Sequence, residues 1–258
     1  MTTNQFNSWI TCPKPQTKAK LRLFCLPFAG GGASLYRPWT TALAPDIEVC
    51  PIQLPARENR YSEKPITDAY QLAETIATQI IPFADKPYAI FGHSMGALLA
   101  YEVARVLEIH KIRPPEVLFL SAHRAPHMPR KRDLLHALPD AQFIQSLKQY
   151  GGFPEEILNN QEFIDFILPT MRSDMTLCDL YAFTKREVSI QTPFEVFAGV
   201  DDREAGPSEM ESWSEHTQGQ ANLTVFDGGH FFLRTHSKEL LSHLLNTIHS
   251  LKIDSNNE

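Results

Sequence analysis

Four apolar residues, Tyr88–Phe91, run without a spacer into Gly92-His93-Ser94-Met95-Gly96, and Ala97–Glu108 follow with apolar side chains at helical spacing. A strand that becomes a helix within five residues has to turn very sharply. That turn places the strand inside a sheet and the helix against its face, which is half of a βαβ unit. The rest of the chain repeats the rhythm. Leu21–Phe28, Ile47–Leu54, Val117–Ser121, Phe194–Ala198 and Leu223–Phe226 read as further buried strands, although Pro51 argues against a regular ladder at the end of the second. Thr67 or Asp68 can cap a helix in which Leu72, Ile76 and Ile80 share a face. Alternating strands and helices predict an α/β fold with a mostly parallel central sheet and helices on both faces.

One stretch breaks the rhythm. Between Ser121 and Phe194 no convincing strand occurs, and a structureless loop of that length is improbable. Asp140 opens a helix in which Phe143, Ile144, Leu147 and Tyr150 share a face, with Gly151-Gly152 as its stop. Pro154 opens another segment, and Phe163, Phe166, Ile167 and Met171 mark an amphipathic one. A helical insertion at about 123–190 in a single domain spanning 1–258 is the expectation. The first twenty residues, polar and Pro- and Lys-containing, read as a loosely held arm.

Composition removes several function classes. The 258 residues carry 24 Lys+Arg against 30 Asp+Glu, a formal net charge of −6, so there is no basic surplus for neutralising a nucleic-acid backbone. No apolar run approaches the roughly 18 residues of a spanning helix, and the N-terminal residues show no secretory pattern. The four cysteines are scattered without CxxC spacing. These features predict a cytoplasmic protein, monomeric by default.

Gly92-His93-Ser94-Met95-Gly96 matches G-x-S-x-G, and both its contexts are present: a strand before and a helix after. Such a turn lifts a serine hydroxyl above the sheet, and the following helix aims N–H groups at a developing anion. A serine at its ordinary pKa needs a base and an orienting carboxylate. His230, in Asp227-Gly228-Gly229-His230-Phe231-Phe232 after the last strand, suits the base. His93 reads as packing beside the turn. His110, His136, His216, His236, His243 and His249 read as ordinary surface histidines, and His123 and His127 have no carboxylate partner to make a metal site. The acid belongs after the fifth strand, where Asp201 and Asp202 compete. Serine, acid, histidine is the α/β-hydrolase order. Ser208 with Glu211 reads as a capping box opening the intervening helix. An oxyanion site needs the Met95 N–H and a second one from Phe28-Ala29-Gly30-Gly31-Gly32. The alternative, a dinucleotide-binding loop, fails because Leu35 stands where the last glycine is needed.

LPFAGGGASLYRPW, PIQLPARENR, FGHSMGALLAYEVAR, the two aspartates after strand five and GGHFFL, in this order, resemble the stand-alone type II thioesterases of nonribosomal peptide and polyketide synthases over about Leu21 to Leu251. The resemblance implies an α/β-hydrolase fold with a helical lid. It implies a triad of Ser94, Asp202 and His230, the acid lying three residues after Gly199, and an oxyanion hole from the Ala29 and Met95 amides. It also implies hydrolysis of acyl or aminoacyl thioesters from the phosphopantetheine arm of carrier proteins, to clear stalled units. No metal and no cofactor is implied, since phosphopantetheine is part of the substrate. A medium-chain fatty acyl carrier protein thioesterase is the alternative. Phe143, Leu147, Phe163, Phe166, Ile167 and Met171 either line an acyl chamber or simply pack the lid. Arg130-Lys131-Arg132, the one compact basic run, is either a docking patch for an acidic carrier or a solvated loop face.

Overall fold

The computed structural model describes residues 7–149, 160–185 and 189–251. Six parallel strands, β1 (Leu21–Leu26), β2 (Ile47–Pro51), β3 (Tyr88–His93), β4 (Leu118–Ser121), β5 (Phe194–Gly199) and β6 (Ala221–Phe226), form one sheet in the order β2-β1-β3-β4-β5-β6. β1 shows why the sheet needs cover on both faces. Leu21, Leu23 and Cys25 belong to one apolar cluster, and Phe24 and Leu26 to the other. Successive side chains in a strand point to opposite faces, so a strand apolar on both faces is stable only between two helical layers, and its one charged residue, Arg22, is buried against Glu48 at 2.7 Å. Pro51 is accommodated because it ends an edge strand and its missing N–H interrupts nothing beyond it.

The helices are α1 (Trp39–Ala42), α2 (Ala69–Ile80), α3 (Met95–Ile109), α4 (Asp140–Gln149), α5 (Gln161–Leu180), α6 (Pro207–Glu211), α7 (Phe232–Thr235) and α8 (Ser237–Ser250). α2 and α3 cover one face, and α8 lies on the other. Asp68, rather than Thr67, caps α2, its carboxylate accepting the Gln71 N–H at 2.8 Å. α3 is buried all round, including Glu102 and Arg105. Arg105 bonds Glu102 at 2.9 Å, and the Tyr181 hydroxyl donates to the same carboxylate at 2.7 Å. The end of α5 thereby seals α3 from water.

The first residues are tied down from Asn7 onward, contrary to the loose arm expected. The Asn7 side chain accepts the Trp9 and Ile10 N–H groups, Ile10 is fully buried, and it bridges to Ile52. Two adjacent apolar side chains, Trp9 and Ile10, in a polar stretch are too weak a signal for sequence periodicity but enough to pin the segment. The capping box is also absent. α6 begins at Pro207 with Gly206 as its N-cap, and Ser208 donates to the adjacent Glu209 side chain at 2.9 Å. Proline at the first helical position supplies the start that Ser208 was expected to give. Between β4 and β5 stand α4 and α5, as the missing strands required. The expected stop at Gly151-Gly152, the opening at Pro154 and Tyr150 lie outside the described residues.

Candidate active site

All the site elements leave the same edge of the sheet, where the strands end. Ser94 follows β3 directly, with φ 54° and ψ −122°, a conformation L-residues avoid. Its N–H donates to the Ser121 carbonyl at 2.8 Å, which holds the turn to β4. A Cβ at Gly92 would stand 2.0 Å from the Gly96 carbonyl oxygen, and one at Gly96 would stand 2.3 Å from the Leu26 carbonyl oxygen. Both obstacles are backbone, so both flanking positions have to be glycine.

His230 sits in the loop after β6. Its Nδ1 lies 2.7 Å from Asp202 Oδ2 and its Nε2 2.9 Å from Ser94 Oγ. An ionised carboxylate can only accept, so Nδ1 carries the proton and Nε2 is left to accept from the serine hydroxyl. Asp202 is buried, whereas Asp201 is exposed, which separates the two aspartates that the sequence left competing. Burial pushes the Asp202 carboxyl upward. The His230 hydrogen bond and charge, with the Glu204 and Ala205 N–H groups at 2.9 and 3.2 Å, outweigh that and hold it below the usual carboxylate range. Gly199 makes the meeting possible: a Cβ there would lie 2.6 Å from the Gly229 carbonyl oxygen, so the histidine loop rests on the end of β5.

Met95 is the first residue of α3, and its N–H is one of those a helix cannot satisfy internally. Ala29 lines the same cleft as Ser94 and His230. The cleft is walled by Phe28, Ala122, Leu147, Met171, Met175 and Phe231, with Arg124, Arg132 and Glu204 as its charged members. Cys178 also reaches it, but burial pushes its thiol up to about 12, which keeps it protonated near neutral pH.

Of the six apolar residues that could either line an acyl chamber or pack the lid, Leu147 and Met171 line the cleft. Phe143 packs beneath them with Leu135, and Phe166 is half exposed and stacks on Tyr61 at 4.8 Å, so α5 turns that part of its apolar stripe away from the cleft. Phe163 and Ile167 do not reach it either. His93 packs beside the turn as expected, fully buried, with Nδ1 2.8 Å from Ser121 Oγ; burial, then the nearby His230, hold it neutral. Several histidines read as ordinary are engaged: His136 with Asp179 at 3.0 Å, His243 with Glu195 at 3.0 Å, and His216 between Tyr101 and His127. Burial, with His127 second, lowers His216 to about 4. No cluster of three metal-ligating side chains occurs among the described residues. Arg57 and Asp174, which pair beside the site, and Arg124, which lines it, are features of the fold; Arg57 lies inside the PARENR segment, and the other two carry no local sequence signal.

A parallel sheet with a strained serine after β3, a carboxylate after β5 and a histidine after β6 is an α/β-hydrolase fold. The chain belongs to the thioesterase domain family, whose model matches residues 21–250. It is 39% identical over 238 residues to the gramicidin S biosynthesis protein GrsT of Aneurinibacillus migulanus, covering 92% of this chain and 93% of that one. The type II thioesterase BorB from the borrelidin biosynthetic cluster superposes with a TM-score of 0.86 at 35% identity, over 93% of this chain and 97% of that one. The RedJ thioesterase from the prodiginine pathway of Streptomyces coelicolor gives a TM-score of 0.84 at 35% identity, over 92% and 94%.

Proposed function

We propose that the protein is a stand-alone type II thioesterase that hydrolyses acyl or aminoacyl thioesters from the phosphopantetheine arm of carrier proteins, removing stalled units from a nonribosomal peptide or polyketide synthase. The observation that supports this most is the relay from Asp202 through His230 to Ser94, at 2.7 and 2.9 Å, in a chain of the thioesterase domain family.

In this reading Ser94 Oγ attacks the thioester carbonyl while His230 Nε2 takes its proton. Asp202 keeps the imidazole in the competent tautomer and stabilises the imidazolium. The Ala29 and Met95 N–H groups receive the oxyanion, each worth roughly 3–4 kcal/mol of transition-state stabilisation. The thiol of pantetheine leaves with the proton from His230, and water repeats the sequence on the acyl-enzyme. No metal or organic cofactor takes part, and α4 and α5 act as the lid over the acyl group. The protein works as a monomer in the cytoplasm, where its cysteines stay reduced.

Hydrolysis of a panel of carrier-bound thioesters (acetyl, aminoacyl and C8–C12) by wild type and Ser94→Ala tests the proposal. Short acyl and aminoacyl carriers should turn over and the variant should not. Preference for C8–C12 would support the medium-chain fatty acyl alternative, and faster cleavage of oxygen esters than of matched thioesters would reject both.

A further inference from the structure

α5 grips the loop after β1 at one point. Asp174 Oδ2 accepts the Gly30 N–H at 2.7 Å, and the same carboxylate takes both terminal nitrogens of Arg57, at 2.7 Å to Oδ2 and 2.8 Å to Oδ1. Arg57 in turn donates to the Gly31 carbonyl at 3.0 Å and to the Pro55 carbonyl at 3.1 Å. The pair is buried, Asp174 to 4% and Arg57 to 7% exposure. Gly30 has φ +76°, and a Cβ on it would lie 2.0 Å from Met171 Sδ, one turn before Asp174 on the same helix.

A buried ion pair is weak evidence for added stability, because desolvation offsets its attraction. A bidentate carboxylate–guanidinium fork does fix direction. Here it fixes a carbonyl and an N–H on successive residues, Gly31 and Gly30. The Gly30 N–H belongs to the peptide unit that begins at Ala29, so clamping it limits the rotation left to Ala29 and hence the direction of the Ala29 N–H. We propose that Asp174, oriented by Arg57, is a positioning residue that aims the Ala29 N–H at the oxyanion. This rests on the reading of Ala29 as an oxyanion donor. Met175, the next residue, and Cys178, one turn further along α5, line the cleft, so a single helix touches the acyl group and sets the oxyanion loop.

A misaimed donor weakens the transition state and leaves ground-state binding of the chain alone. The test compares wild type, Asp174→Asn and Arg57→Lys in three measurements. These are kcat/KM on an acyl carrier, the rate at which a fluorophosphonate labels Ser94, and affinity for an acyl-pantetheine thioether with methylene in place of the carbonyl. Asp174→Asn should lose about 10–100-fold in the first two together, because both pass through a developing oxyanion. Thioether affinity should stay within about twofold. Arg57→Lys, which keeps charge but loses the fork, should fall in between. Should Asp174→Asn fail to fold, as breaking a buried pair can cause, Arg57→Lys carries the same comparison. Wild-type labelling rates in the folded variants, or thioether affinity falling in parallel with kcat/KM, would overturn the proposal alone. A wild-type protein that the probe does not label on Ser94 would overturn the serine reading and this proposal with it.

Discussion

At the scale of single residues, two adjacent aspartates separate by burial and partner. Asp202 faces His230 and two backbone N–H groups, and Asp201 faces water. Asp202→Ala should therefore lower kcat by about 10⁴-fold, as loss of the orienting acid does in serine triads. Asp201→Ala should stay within about twofold, as exposed positions do, and the reverse pattern in steady-state kinetics would exchange their roles. The depressed pKa of Asp202 has a second consequence. A carboxylate whose folded pKa lies below its unfolded one contributes stability that is complete above about pH 4 and is lost as pH falls through the lower, folded value. Urea unfolding at pH 7 and near pH 3 should show wild type losing part of its advantage over Asp202→Asn in the acid sample. The serine and its flanking glycines were legible because a sharp turn leaves a local pattern, although the contact that dictates Gly96 is with the Leu26 carbonyl at the end of β1. Arg57 and Asp174 stand 117 positions apart and leave none.

At the scale of elements, the strands and the long helices were readable because each repeats one burial rule over many residues. β1, β3 and β5 are buried throughout, and α2 shows its cap and its stripe. What escaped were features set by a partner far away in sequence. Ile10 is fully buried and bridges to Ile52, and α5 directs Met171 to the cleft while Phe166 stacks on Tyr61. The anchoring of α5 is of the same kind: Asp179 takes the Leu135 and His136 N–H groups at 2.7 and 2.9 Å, and Thr170 donates to the Ala56 carbonyl at 2.8 Å. An element held at its middle and at its C-terminal end presents a rigid wall there, and with Leu147 of α4 packed in one apolar cluster with Met171 the chamber should discriminate by size. Leu147→Phe should depress kcat/KM for C8 carriers by at least about tenfold relative to acetyl carriers, the scale on which apolar pockets discriminate. An equal effect on both chain lengths would mean that Leu147 is a packing residue only.

At the scale of the whole molecule, charge sets the terms on which a carrier can approach. The chain has a formal net charge of −6, so an acidic carrier meets overall repulsion and needs a local attraction to counter it. The basic run that the sequence offers either as a docking patch or as a solvated loop face is engaged in internal contacts. Arg130 donates to the Asp179 carbonyl at 2.8 Å, Arg132 pairs with Asp179 at 2.6 Å, and Lys131 pairs with Glu209 at 2.7 Å. Arg132, moreover, lines the cleft, so reversing its charge would disturb the chamber as well as any docking face. Lys131, with its side chain 47% exposed, is the member that reports on docking alone. The sign of the salt effect then separates the two cases. With net repulsion in control, kcat/KM on an acidic carrier should rise as ionic strength goes from about 0.02 to 0.3 M, because screening shortens the reach of like charges from about 20 Å to below 8 Å. A small soluble thioester should show no such trend. Exchanging the pair, Lys131→Glu with Glu209→Lys, keeps opposite charges together while reversing the one that is exposed, and should leave carrier hydrolysis within about twofold of wild type, because the exposed Lys131 end is screened by solvent. If the rate instead falls with salt, and the exchanged variant loses activity on the carrier but not on the small thioester, Lys131 attracts the carrier despite its bond to Glu209. Recognition would then begin at that corner of the insertion, before the pantetheine arm enters the cleft.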